Sequence, residues 1–170
     1  MKNNNIILIG MPASGKSTFG VLLAKNIGYS FIDSDLVIQK ETNKKLSEII
    51  SEVGTEGFKE VEDRINCGIE ASEAVIATGG SAVYGENAMK HFKEIGTIMY
   101  IKVDEKELLN RLGDLKKRGV VIKEGQTFHD LYLERTALYE KYADVTVYEN
   151  SPFPKVVLPK MLKALGISTL

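Results

Sequence analysis

Short apolar runs alternate along the chain with longer stretches in which apolar residues recur at helical spacing. Ile6–Ile9 is a continuous apolar run, the mark of a strand covered on both faces. Ser17–Ile27 follows with Phe19, Leu22, Leu23 and Ile27 on one helical face. The pattern then predicts a strand at Ser30–Asp33 and helices at Ser47–Val53 and Phe58–Glu70. A third strand, Val75–Thr78, runs into Gly79–Gly80, and Asn87–Ile95 reads as a helix. Thr97–Val103 is a strand of β-branched and aromatic character. Asp104 is placed to cap the next helix, with Glu107 as its capping-box partner. Phe128–Tyr142 predicts a long helix, Val145–Tyr148 a last strand, and Lys155–Leu165 a closing helix. Five strands separated by helices predict parallel βαβ units and a three-layer α/β domain. The least patterned stretch, about residues 113–127, is rich in Lys, Gly and polar residues and reads as a mobile surface segment.

Composition narrows this picture without redirecting it. A chain of 170 residues, 44% apolar and 26% charged, suits one domain with one main core, residues 1–170. The formal net charge of −1 gives no footprint for nucleic acid or an anionic membrane. No apolar run approaches the roughly 20 residues of a spanning helix, so the expectation is a soluble, cytoplasmic protein. Cys67 is the one cysteine, which excludes an internal disulfide and a Cys-rich metal site. It is expected to pack within its helix. His91 and His129 lack metal-ligand spacing and are expected at the surface. Tyr132, Tyr139 and Tyr142 share a helical face and read as packing.

Chemistry enters at Gly10-Met-Pro-Ala-Ser-Gly15-Lys16-Ser17, which fits the phosphate-loop pattern G-x-x-x-x-G-K-[S/T] between a strand and a helix. Glycines let the backbone turn sharply and direct several N–H groups at phosphates. The helix N-terminus adds partial positive charge. Lys16 is expected to neutralise phosphate charge and the Ser17 hydroxyl to ligate Mg²⁺. Asp33 and Asp35 flank the end of the second strand, where open parallel sheets gather ligands. Two carboxylates two apart on a strand project to the same side. One is suited to hold Mg²⁺ through water, the other to orient a hydroxyl or accept its proton. Either also suits the N-cap of a following helix. Gly79 and Gly80 permit close backbone approach by a ligand. Arg111, Arg118 and Arg135 are candidate cations, none distinguishable by residue type alone.

In this order the motifs resemble the shikimate kinase family, a branch of the nucleoside monophosphate kinase-like P-loop fold, over nearly the whole chain. The resemblance runs through Gly10–Thr18, Asp33-Ser-Asp35, Gly57-Phe-Lys-Glu-Val-Glu62, Gly79-Gly80-Ser81, Arg118-Gly-Val-Val and Arg135-Thr-Ala-Leu-Tyr139. It implies a P-loop kinase fold in which residues about 113–127 form a mobile lid. It implies ATP held by Gly10, Ala13, Ser14, Gly15, Lys16, Ser17 and Thr18, with Mg²⁺ supported by Ser17 and Asp33. Lys16, Asp35 and Arg118 would be catalytic, with Asp35 binding the substrate hydroxyls and acting as base and Arg118 reaching the phosphates from the lid. Lys59, Gly79, Gly80, Ser81 and Arg135 would face the substrate, and Arg135 would hold its carboxylate. Arg111 would pack on the adenine, a role suited to a planar guanidinium. The protein would act as a monomer on shikimate or a similar hydroxy acid.

Three positions depart from the family pattern. Lys59 stands where the family has an arginine that grips the shikimate carboxylate, and a lysine lacks the two-pronged donor. Losing one charge-assisted bond weakens binding roughly tenfold to a hundredfold. Ser81 adds a hydroxyl at a family glycine and is placed to read a different substrate group. Gly119 stands at a lid proline. Glu62, one helical turn on from Lys59, is expected to orient it. These departures leave open another small hydroxy acid, a polyol or a nucleotide as acceptor. A catalytically idle nucleotide-binding module is the remaining alternative, disfavoured by the retained Lys16, Ser17, Asp33 and Asp35.

Overall fold

A parallel five-stranded sheet forms the middle layer, in the order β2-β3-β1-β4-β5. Its strands are β1 (Asn5–Ile9), β2 (Ser30–Asp33), β3 (Ala74–Ala77), β4 (Gly96–Lys102) and β5 (Val145–Tyr148). The helices are α1 (Lys16–Ile27), α2 (Ser34–Thr42), α3 (Leu46–Cys67), α4 (Glu86–Ile95), α5 (Glu105–Leu112), α6 (Phe128–Tyr142) and α7 (Pro154–Ala164), with a short 3₁₀ turn at Ala82–Tyr84. The structure is a computed structural model and describes residues 4–113, 122–149 and 151–167.

The register explains why the apolar runs are unbroken. β1 is the central strand, pairing with β3 through Ile6–Val75, Ile7–Ile76 and Leu8–Ala77, and with β4 from Asn5–Gly96 to Ile9–Tyr100. Both of its faces are covered, so Ile7, Leu8 and Ile9 are fully buried. Asn5 is the polar exception. Its side chain donates to the carbonyls of Ala71 and Ile95 and accepts from the Ala74 amide, which ties the start of β1 to both neighbours and satisfies the buried amide.

The expected strands are all present, within one residue at each end. Gly54, with φ 73 and ψ 178, interrupts α3, so the two helices expected at 47–53 and 58–70 form one element with a break between them. The helix after β2, α2, carries a weak apolar pattern, and the sequence supported it only as the alternative in which an aspartate caps it. Asp104 does precede α5, but without a side-chain cap bond: Glu107 is taken by Arg111 Nε at 2.8 Å. Cys67 is exposed rather than packed, because it falls on the last residue of α3, where Gly68 ends the helix. His129 is exposed and faces Glu105, as a surface residue should, whereas His91 is partly buried against the Ile69 carbonyl.

Two apolar clusters result. The main one surrounds β1, β3 and β4 and takes in Phe19 and Leu23 from α1 and Phe92 from α4. A smaller one joins Ile38 of α2 to Ile49, Phe58 and Ile65 of α3. The crossover from β3 past β1 to β4 leaves a crevice at the carboxyl end of β1, the switch point at which such sheets take ligands.

Candidate active site

The loop from β1 to α1 lies at that crevice. Gly10 has φ +151, and a Cβ there would come within 2.7 Å of the Ile101 carbonyl. Gly15 caps α1 in the left-handed region, where a Cβ would strike the Phe19 ring at 2.5 Å. Ala13 takes a left-handed conformation as well, φ 65, a strained one for a residue with a Cβ. Arg111 braces it from α5: its guanidinium donates to the Ala13 carbonyl at 3.2 Å, and to Glu107 and the buried Glu149. Lys16 folds back over the loop, its Nζ donating to the carbonyls of Gly10 at 2.7 Å and Met11 at 2.8 Å. Burial pushes its pKa down to about 8, against the opposing pull of Asp35.

The two aspartates do not sit together on a strand. Asp33 ends β2, and Asp35 belongs to the first turn of α2, so the strand alternation expected for the pair does not apply. Asp33 takes the capping role weighed for it, and its other oxygen faces the phosphate loop. Its Oδ1 caps α2 by accepting from the Asp35 amide at 3.0 Å, while its Oδ2 accepts from the Ser17 hydroxyl at 3.2 Å. A hydroxyl and a carboxylate side by side, both hard oxygen donors, fit a small divalent cation. Burial raises the pKa of Asp35; the Asp33 charge adds to the rise and Lys16 opposes it. Asp35 is thereby a stronger base than a solvated aspartate.

The opposite wall comes from α3, the loop after β3 and α6. Gly79 and Gly80 are glycines for lack of space. A Cβ at Gly79 would lie 2.7 Å from Glu62 Oε1 and 2.8 Å from Asp35 Oδ1, and one at Gly80 would meet Pro12 and Arg135 at 2.8 and 2.9 Å. Tyr139, fully buried against Tyr100, donates to the Gly80 carbonyl at 2.6 Å, and so fixes this loop. Arg135 is buried, with its guanidinium 5.6 Å from the centre of the Tyr84 ring.

Here the expected partnership fails. Glu62 does not orient Lys59. The Lys59 ammonium pairs with Glu56 at 3.0 Å and lies 4.0 Å over the Tyr84 ring. Glu62 instead accepts from the Ser81 hydroxyl at 2.6 Å. The reason is geometric: Glu56 precedes Lys59 by one turn, and Tyr84 offers its π face on the same side. Glu62 is left buried, and burial pushes its pKa up to about 7.

One cavity of about 720 Å³ joins the two sides. Ala13, Gly15, Lys16, Ser17 and Thr18 form one end, and Lys59, Gly80, Ser81 and Arg135 the other, with Asp35 also in the lining. Gly10 and Ser14 shape the loop from behind, since Lys16 contacts both. Arg118 and the greater part of the segment read as a lid fall at 114–121, outside the described residues. Three participants carried no signal in the sequence: Tyr84, which receives both cations; Glu149, which holds Arg111; and the apolar wall of Leu46, Ile50 and Phe58.

Comparison with known proteins places these features in a family. The family model for "Shikimate kinase" matches residues 12–166. A shikimate kinase of Thermodesulfovibrio yellowstonii is 35% identical over 94% of this chain and 93% of its own length. Threonine synthase-like 1 of Homo sapiens is 34% identical over 96% of this chain, which corresponds to only 22% of that protein. Among solved structures, a shikimate kinase from Acinetobacter baumannii in complex with shikimate superposes with a TM-score of 0.84 at 28% identity, over 95% of this chain and 92% of its own.

Proposed function

The chain belongs to the shikimate kinase family of ATP-dependent kinases, and from that premise we propose that it transfers the γ-phosphoryl group of MgATP to a hydroxyl of shikimate. One observation carries the reading: the phosphate loop with Lys16, the carboxyl of Asp35 and the guanidinium of Arg135 all line a single cavity. The amides around Gly15 and the N-terminus of α1 receive the phosphates. Lys16 leaves the carbonyls of Gly10 and Met11 for the transferring group. Asp35 takes the proton as the acceptor oxygen attacks: the O–P bond forms, the bond from phosphorus to the bridging oxygen breaks, and ADP leaves with that electron pair. Arg135 pairs with the acceptor carboxylate, a fork suited to two oxygens, and the Gly80 backbone abuts the acceptor. The tethered Arg111 flanks the adenine, and Arg118 contributes charge at the phosphates. Positioning and fixed charge supply most of the acceleration.

Ser17 and Asp33 are the residues that would hold Mg²⁺, with water and phosphate oxygens completing its shell. When bound, the ion neutralises charge on the phosphate oxygens. We read the protein as one domain that works as a cytoplasmic monomer and binds neither nucleic acid nor membrane. Among the described residues no helix is long and apolar enough to cross a bilayer.

A second reading keeps the chemistry and changes the acceptor to another small hydroxy acid, a polyol or a nucleotide. What favours it is Lys59, whose ammonium is engaged by Glu56 and Tyr84. Turnover with MgATP across shikimate, other hydroxy acids, polyols and nucleoside monophosphates separates the two. Shikimate kcat/KM at background, beside brisk turnover of another acceptor, removes shikimate from the first reading.

A further inference from the structure

Ser81 was placed by its sequence to read a substrate group, but its hydroxyl is already committed to Glu62 Oε2 at 2.6 Å. The consequence falls on Glu62. The residue is 1% exposed and lines the acceptor end of the cavity. Its second oxygen, Oε1, has no hydrogen-bond partner. That oxygen and Asp35 Oδ1 crowd the same side of Gly79, so it lies beside the carboxyl proposed to receive the reacting hydroxyl. The neighbouring charges do not satisfy it. Asp35 from α2 and Asp63 from its own helix repel its negative form; Arg135 from α6 and Lys16 from the phosphate loop attract it. Lys59, one turn away, has its ammonium on Glu56 and Tyr84. Leaving a buried carboxyl oxygen without a partner is unfavourable, and a donor brought to it removes that cost. When ionised, such a group only accepts hydrogen bonds.

We propose that Glu62, oriented by Ser81, is a further acceptor-binding residue, whose Oε1 receives a hydrogen bond from a second donor on the acceptor, carried one or two carbons away from the carbon that bears the phosphorylated hydroxyl. Ser81 is then a positioning residue, and the pair selects for acceptors that carry that second donor. The donor is a vicinal hydroxyl, as in a polyhydroxylated acid, or an ammonium, as in a hydroxyamino acid. The inference rests on the kinase reading of the cavity but concerns binding, which can be measured without turnover.

The test is titration calorimetry in the presence of MgADP with three probes: shikimate, L-homoserine, and 3-hydroxycyclohexanecarboxylate, which has a carboxylate and a single hydroxyl. The wild type should bind shikimate or L-homoserine at least about tenfold more tightly than the monohydroxy acid. Preference for shikimate identifies a hydroxyl as the donor, and preference for L-homoserine an ammonium. Glu62→Gln should remove most of the preference and Ser81→Ala about threefold of it, so the inference survives a Gln variant that fails to fold. Affinity of the wild type should also rise from pH 6 to 8 as Glu62 ionises, and Glu62→Gln should show no such rise; a merely structural role would not move this profile. Equal binding of all three probes, binding of none, or a preference and pH profile unchanged in both variants overturns the inference. A wild type that shows the Glu62-dependent preference yet phosphorylates nothing sinks the kinase reading alone. One that phosphorylates shikimate with Glu62-independent binding sinks only this inference.

Discussion

The phosphate end and the acceptor end of the cavity are built in different ways. The phosphate end is one stretch of chain, residues 10–18, suspended from the fully buried central strand and braced by Arg111 and Glu149 from two further elements. The groups proposed to meet the phosphates are mainly backbone amides, which side-chain substitution scarcely alters. The acceptor end is assembled from α2, α3, the loop after β3 and α6, and its bonds span long separations: Ser81 reaches back to Glu62, and Tyr139 to Gly80. It also rests on the smaller apolar cluster, next to the break in α3 at Gly54. A local, backbone-made site holds its chemistry through sequence change. A site of side chains from four elements is retuned by one or two substitutions, and Lys59 and Ser81 are of that kind.

The largest test of this contrast removes the ammonium of Lys16 from the phosphate end. Lys16→Ala should lower kcat with MgATP by about three orders of magnitude or more, since fixed charge at the transferring group is the main source of rate in phosphoryl transfer. The fold should survive, because the replacement also removes a buried ammonium. Turnover within tenfold of wild type, in a variant with an unchanged thermal melt, would contradict the role given to the loop.

The same contrast explains what could be read before the fold was known. The strands were legible because a parallel sheet buried on both faces demands unbroken apolar runs. The phosphate loop was legible because its residues are contiguous. Asp33 and Asp35 were found, but their geometry was mistaken: spacing alone cannot tell that β2 ends between them and α2 begins. The Lys59–Glu62 pairing failed because a helical turn allows partners on either side, and Tyr84, the last residue of the 3₁₀ turn, decided for Glu56. Glu149 carried no pattern at all; it matters only because β5 brings it beside Arg111.

Gly80→Ala probes the acceptor end with a single methyl group. The added Cβ would press on the Pro12 ring and on the Arg135 guanidinium, and the ring or the buried arginine must shift to admit it. The acceptor KM should rise about tenfold while the KM for ATP moves less than threefold. Equal changes in both would mean that the two ends are not separable.

A gentler change asks whether the acceptor end can be returned to the family pattern. Lys59→Arg offers a planar fork that can bond two oxygens at once, where the lysine ammonium is held by Glu56 and Tyr84. The shikimate KM should fall about three- to tenfold, with kcat altered less. A KM that rises or stays put transfers weight to another acceptor.

The smallest effect is one of stability, and here the two ends have opposite signs. Burial raises Glu62 from 4.5 to about 7, so the folded state binds the extra proton between those values. The associated stability is fully present below about 4.5 and is lost as pH climbs through 7. Lys16 is lowered from 10.5 to about 8. Above pH 8 the unfolded chain is the form that binds more protons, so stability recovers toward 10.5. Melting curves of the protein without nucleotide should therefore fall by a few degrees from pH 5 to 7.5 and flatten or turn up beyond 8. Glu62→Gln should remove part of the first limb, the remainder belonging to Asp35, whose pKa burial also raises; Lys16→Met should remove the second. A Glu62→Gln variant that keeps the entire acid-side slope would show that Glu62 is ionised at neutral pH, and that its burial is offset by a partner other than Ser81.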